Sequence, residues 1–388
     1  MSMGDFSKPE RRRLDSIGTL WFKGQPFKKT DIVETGKYPC LHYGELFSKY
    51  GAIIDSVSSR CDVFPKRLSQ KGDILFPASD VTPAGLTRCS AIMQENVILG
   101  GDVIGFRPQT GLNPIYLSYA IRHQKTQLLQ RVTGALIKHI SAKSLQSIII
   151  PIHPIERQDR FEKQVRHLNR IISHRRTQLA KLDELVKCRF VELFGDQKTN
   201  PHKWPTARIG TCCTLKSGTS LPAEKENEGG PIPYVKVGDM NYSGNEHYLT
   251  TSSRFVSEHT AGAGIFPIGT VIFPKRGGAI GTNKKRLTLL PICADLNVMG
   301  VTAGSKLEPL YLFAYFNSID LGTLGGGSSI PQINNKDIAP LIICLPPMAL
   351  QKQFTAFVSH IDKLRFSVQA SLDKTQQLFD SLMQEYFG

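Results

Sequence analysis

Two clusters in the second half of the chain set cations beside glycine: Lys275-Arg276-Gly277-Gly278 and Thr282-Asn283-Lys284-Lys285-Arg286. Lysine and arginine neutralise phosphates, Arg, Asn, Ser and Thr reach base edges, and glycine lets a backbone approach closely. Both clusters follow the apolar run Gly269-Thr270-Val271-Ile272-Phe273-Pro274. The first half holds a similar run ending at Pro77, followed by Ser79-Asp80-Val81-Thr82 and, further on, Arg88. A second candidate surface is 134–139 with 327–332, where Lys138, His139, Ser328, Ser329 and Gln332 follow glycine. Lys216 and Ser217, and Lys236 on an expected strand, complete the candidate contacts to a polyanion. The plain structural alternatives are solvated loops and, at Gly134, a helix C-cap with a connecting turn.

A net charge of +15 with no basic tail places positive charge on folded surface and favours nucleic acid as partner. An anionic membrane is the weaker alternative, since no basic amphipathic anchor is present. The first 18 residues lack an apolar signal core and no apolar run approaches 18 residues, so a soluble, cytoplasmic chain is expected. The eight cysteines show no metal-ligand spacing and are expected to be buried, reduced thiols.

Residues for catalysis are harder to find. Asn113-Pro114-Ile115-Tyr116 resembles the tetrapeptide with which adenine methyltransferases hold a flipped base, but its third residue departs from that pattern. The corresponding place in the second half reads Glu308-Pro309-Leu310-Tyr311, without the Asn, so a helix start is the better explanation. Gly262-Ala263-Gly264 leads into Ile-Phe-Pro and is expected to be a turn rather than a cofactor loop. Phosphate loops of the Walker type and paired nuclease carboxylates are missing. The chain is expected to perform no chemistry and to hold no metal or cofactor.

What positions these loops is a repeat. From Pro154 to Gly195, residues Phe161, Val165, Leu168, Ile172, Leu179, Leu182, Val186 and Leu193 follow steps of four and three, broken at Arg175 and Arg189. That is a coiled-coil seam more than four heptads long. Pro347 to Gly388 repeats it 193 residues later without a gap, with Arg365 and Thr375 as its polar breaks. Tyr38 to Leu46 and Pro233 to Met240 are expected strands, and helices are expected over 113–130 and from Pro309. Framework residues recur while the loops between them differ, as when one scaffold makes two contacts of different specificity.

In this doubled order, Tyr38 to Tyr50, Ile232 to Met240, the two glycine-led strands and the VELFG and QEYFG helix ends resemble the specificity subunit of a type I restriction-modification system. The resemblance covers essentially the whole chain. It implies a mixed α/β fold in which two target-recognition domains are separated by an antiparallel coiled-coil pair of long helices. Recognition domains are expected at 1–150 and 196–345 and spacer helices at 151–195 and 346–388. It also implies that each domain reads one half of a bipartite, asymmetric site on double-stranded DNA. The expected partners are two methyltransferase (M) subunits and restriction/translocase (R) subunits, which would bind any S-adenosylmethionine, ATP and Mg2+. A stand-alone methyltransferase with an unrecognised cofactor motif and a general basic nucleic-acid scaffold are the alternatives. The long run Gly325-Gly326-Gly327 departs from the single Gly134 of the first copy.

Overall fold

Ile74–Pro77 is apolar throughout and buried on both faces, as a central strand must be. In the computed structural model, which describes residues 8–324 and 331–388, it is the middle of a five-stranded sheet. The order is Gly18–Lys23, Val103–Pro108, Ile74–Pro77, Ser90–Ile92, Ile53–Ile54. The first three pairings are antiparallel and the last is parallel. Arg107 closes this sheet over the buried Asp73 with two bonds of 2.7 and 2.9 Å.

The second half builds the same sheet. Cys213–Ser217, Val298–Ala303, Thr270–Pro274, Arg286–Thr288 and Tyr248–Leu249 follow in the same order, again with three antiparallel pairings and a final parallel one. Each half also pairs its opening strand with its closing one, Glu10–Arg13 with Ile149–Ile152 and Thr206–Arg208 with Ile342–Cys344. The chain thus divides into two units, Met1–Arg175 with Ser371–Gly388, and Arg176–Ala370.

Each sheet is covered by a helix, Pro114–His123 or Pro309–Asn317, with proline in the first turn where no amide hydrogen is needed. The helix expected to reach Gln130 ends earlier. Gln124 leaves helical torsions at φ −81°, ψ 43°, and Lys125–Leu129 is a separate short helix. The expected strands are also shorter, Tyr38–Leu41 and Ile232–Val235. In both copies a carboxylate takes the next backbone N–H, Glu45 that of His42 at 2.9 Å and Asp239 that of Lys236 at 2.7 Å. With those groups capped, the chain turns into a helical turn instead of extending the ladder.

The long helices are Ile155–Phe194 and Met348–Phe387, each of 40 residues and about 60 Å long at 1.5 Å per residue. Every seam residue predicted from the heptads is buried or half-buried. In the first unit Phe161 packs on Tyr386, Phe387 and Tyr119 with centroids 5.0 to 5.5 Å apart. In the second, Phe354 meets Phe190 and Phe194, each at 5.6 Å. There Asp183 bonds Arg365 at 2.7 Å, while the later Phe190 meets the earlier Phe354, so the two segments run antiparallel. Arg365, a polar break in the seam, thereby pairs its two terminal nitrogens with Asp362 and Asp183, while its buried Nε has no partner among the described residues. Truncating any of these rings should cost about 3–5 kcal/mol. Among the cysteines, Cys188 is exposed rather than buried, because it lies on the outer face of its helix, and Cys212 and Cys213 are half-exposed.

Candidate nucleic-acid interface

Pro77 ends the central strand of the first unit, and the chain then forms a short ribbon. Ser79–Asp80 pairs antiparallel with Lys138–His139, Asp80 opposite Lys138 and Ser79 opposite His139. Ile140 N–H donates to Ala78 O at 3.1 Å and anchors the ribbon to the sheet. Thr82 donates to Asp80 Oδ2 at 2.9 Å and caps the turn Pro83–Thr87. Ser79, Thr82, Lys138 and His139, from two separate sequence clusters, therefore share one surface. Thr82 and His139 are exposed, Ser79 and Lys138 half-buried. Arg88 is exposed but stands outside the ribbon, donating to Phe47 O at 2.6 Å.

The second unit repeats the arrangement. Arg276 bridges Gln332 antiparallel, Ile333 N–H donates to Lys275 O, and Gly277 N–H to Pro331 O, both at 2.9 Å. Arg276 is exposed and Gln332 half-buried, with its amide on Asn334 at 2.8 Å. Ser328 and Ser329 lie outside the described residues.

The other basic residues have local partners. Lys275 is buried and donates to Ser217 Oγ at 2.8 Å; desolvation, then the neighbouring Arg276, lower its pKa. Lys216 donates to the carbonyls of Ala263 and Ile265 and lies 5.3 Å over the Phe266 ring. Lys236 is held by Glu226 at 2.6 and 2.7 Å. Lys284 reaches the Asn241 side chain. Asn283 turns the chain with φ 55° and accepts from Leu321 N–H and Lys285.

Lys285 and Arg286 are 4% and 8% exposed and line a cavity of about 610 Å³ beside the second unit's helix segments. Burial pushes the Lys285 ammonium down to about 8 and lowers Arg286. Both donate to neutral oxygens, Lys285 to Ile319 O and Arg286 to Met240 O and Lys285 O. Sequence reasoning also passed over a cleft in the first unit, about 620 Å³, lined by Lys29, His42, Tyr43, Glu45 and Lys49. Its signal lay within Tyr38 to Tyr50, where His42 and Lys49 stand among four aromatic residues.

Asn113 is a helix cap. Its Oδ1 accepts from Ile115 N–H and Tyr116 N–H, both at 3.0 Å, and its amide donates to Asp159 and Glu162. With both ends engaged and 6% exposure, it has nothing to offer a base. Among the described residues no cluster of three or more His, Cys, Asp or Glu could hold a metal, and no helix is long and apolar enough to cross a membrane.

Comparison with known proteins matches this doubled architecture. The MjaX type I restriction enzyme specificity subunit of Methanocaldococcus jannaschii is 23% identical over 320 residues, 76% of this chain and 72% of that protein. The S subunit of the type I restriction-modification system from M. genitalium superposes with a TM-score of 0.64 at 16% identity, covering 100% of this chain and 98% of that one. A chain from a study of type I R-M complex assembly and conformational transition gives 0.55 at 16% identity, covering 98% and 97%. At such identity the two structures speak to the fold alone. The profile of the type I restriction modification DNA specificity domain matches twice, over residues 7–183 and 201–374, one match for each copy of the repeat. The chain belongs to the type I restriction-modification DNA specificity family.

Proposed function

We propose that the two units read the two halves of one bipartite, asymmetric sequence on double-stranded DNA, with recognition domains at 1–150 and 196–345. As a specificity subunit the chain is non-catalytic, and its work is placement. Exposed cations such as Arg276 contact phosphates, and the ribbon side chains choose the sequence. The long helices dock two methyltransferase subunits, and the restriction/translocase subunits join through them. S-adenosylmethionine, ATP and Mg2+ belong to those partners, and the assembly works in a prokaryotic cytoplasm.

One observation carries this reading. The same junction, a short pairing that follows the central strand, presents Ser79, Thr82, Lys138 and His139 in one unit and Arg276 and Gln332 in the other. Identical frames with different donors suit two half-sites of different sequence. Methylome sequencing of a host with and without this gene tests it. One gapped motif losing its methylation is expected. An unchanged methylome, or loss of a continuous motif, would sink the proposal.

A further inference from the structure

The loop from Thr133 to His139 spends its polar groups on closing itself. Thr133 and His139 exchange two backbone bonds of 3.0 and 2.8 Å, and the Lys138 ammonium donates to the carbonyls of Gly134 and Ala135, each at 2.8 Å. Gly134 sits at φ +100°, and a Cβ there would stand 2.1 Å from the Ile137 carbonyl oxygen. The turn is therefore tight and well fixed. What it holds outward is aliphatic: Leu136 is 90% exposed and Ile137 55%. Val81, 75% exposed, leaves the partner strand at the same end of the ribbon. Such a fixed apolar tip contributes nothing to the fold of its own unit.

Its size and surroundings select an occupant. Three side chains fall far short of the roughly 800 Å² per partner that a stable protein interface buries. Lys138, His139 and Thr82 flank the tip in a chain of net charge +15, which suits a polyanion with an apolar interior. A stacked duplex is such a partner, since its base faces are apolar and its rim is phosphate.

We propose that Leu136 and Ile137, with Val81 at their flank, insert as a wedge between adjacent base pairs of the half-site read by the first unit. The proposal rests on the DNA-recognition reading above. The aliphatic groups take the place of base-on-base stacking and leave water as they enter, while the exposed His139 lies toward the phosphates. Pyrimidine–purine steps open most easily, so the wedged step is of that class, and part of the choice of sequence is read as deformability. The ungapped repeat sets Ser329, outside the described residues, at the place of Leu136. Ile330 stands at the place of Ile137, so Leu136 is what sets the first copy apart, and the wedge is assigned to its half-site.

The test uses the full-length chain with its methyltransferase partners and duplexes carrying the motif found by methylome sequencing. 2-Aminopurine replaces one adenine at a time, away from the methylated bases. One step of the first half-site should brighten several-fold on binding. The Leu136→Ser, Ile137→Ser double variant should lose that signal and bind the motif roughly tenfold more weakly, the scale of one mismatched base pair. Its melting temperature and the salt slope of its binding should match the wild type, and Leu136→Met should keep the bright step. Equal fluorescence and affinity in the double variant, or no bright step in the wild type, would overturn the wedge alone. So would loss of methyltransferase binding with the DNA signal intact. A wild-type complex that binds no duplex would overturn both the wedge and the reading beneath it.

Discussion

Gln158, in the first turn of one long helix, accepts the backbone N–H of Asn113 at 2.9 Å. Its amide donates to His153 O at 2.7 Å, and the side chain is 1% exposed. Gln351, 193 residues later, accepts the N–H of Glu308 at 2.8 Å and donates to Pro346 O at 2.9 Å. One buried amide thus pins the start of each sheet-covering helix to the base of each long helix. The neighbouring tyrosines reinforce it, Tyr116 on Pro151 O and Tyr311 on Cys344 O, at 2.8 and 2.9 Å.

Gln158→Leu and Gln351→Leu should each strand a buried N–H and a carbonyl, at a cost of about 1–3 kcal/mol per group. Denaturant unfolding should show a lower midpoint for each variant. A midpoint within error of wild type for both would show that the amides are incidental.

Arg276 and Lys275 are neighbours with opposite surroundings, so their substitutions should separate. Arg276→Ala should weaken binding to all duplexes and lower the salt slope by roughly one, with unchanged thermal stability. Lys275→Ala should lower stability first, because it removes the buried bond to Ser217. Equal salt slopes for Arg276→Ala and wild type would remove this loop from the phosphate contacts.

Replacing residues 200–340 with the matching segment of a relative should change one half of the methylated motif and leave the other. Methylation mapping reads the result directly. A change in both halves would mean that the units do not read independently.

Lys285 gives the protein a pH signature. Its folded-state pKa, about 8, lies below the ordinary value of 10.5, so the unfolded chain holds the proton more tightly between those limits. Stability attributable to this group should therefore rise as pH climbs from about 8 to 10.5, by on the order of 3 kcal/mol. Lys285→Met should flatten that rise relative to wild type in chemical denaturation at several pH values. Parallel wild-type and variant curves would show that the ammonium is solvated.

The repeat and both helix seams were legible because they depend on periodicity, which chain order carries directly. Every seam position from Phe161 to Tyr386 is covered. The basic loops were legible only in part. Lys275, Lys285 and Arg286 have the composition of a solvated loop, yet Arg286 begins a strand paired with Thr270–Pro274, and that pairing turns the run inward. Residue type alone does not report which side of a strand faces a core. The early ends of the strands at Tyr38 and Ile232 were not legible, because in each a carboxylate three residues further on outcompeted the ladder for a backbone N–H.

Cys188 offers a practical handle. It is the one exposed thiol among the described residues, on the outward face of a long helix, while Cys40, Cys61, Cys89, Cys293 and Cys344 are shielded. A maleimide dye at low stoichiometry should label that position ahead of the rest, with no engineering of the chain. Quenching or polarisation of that single reporter would then register, in real time, any subunit that settles on the helix.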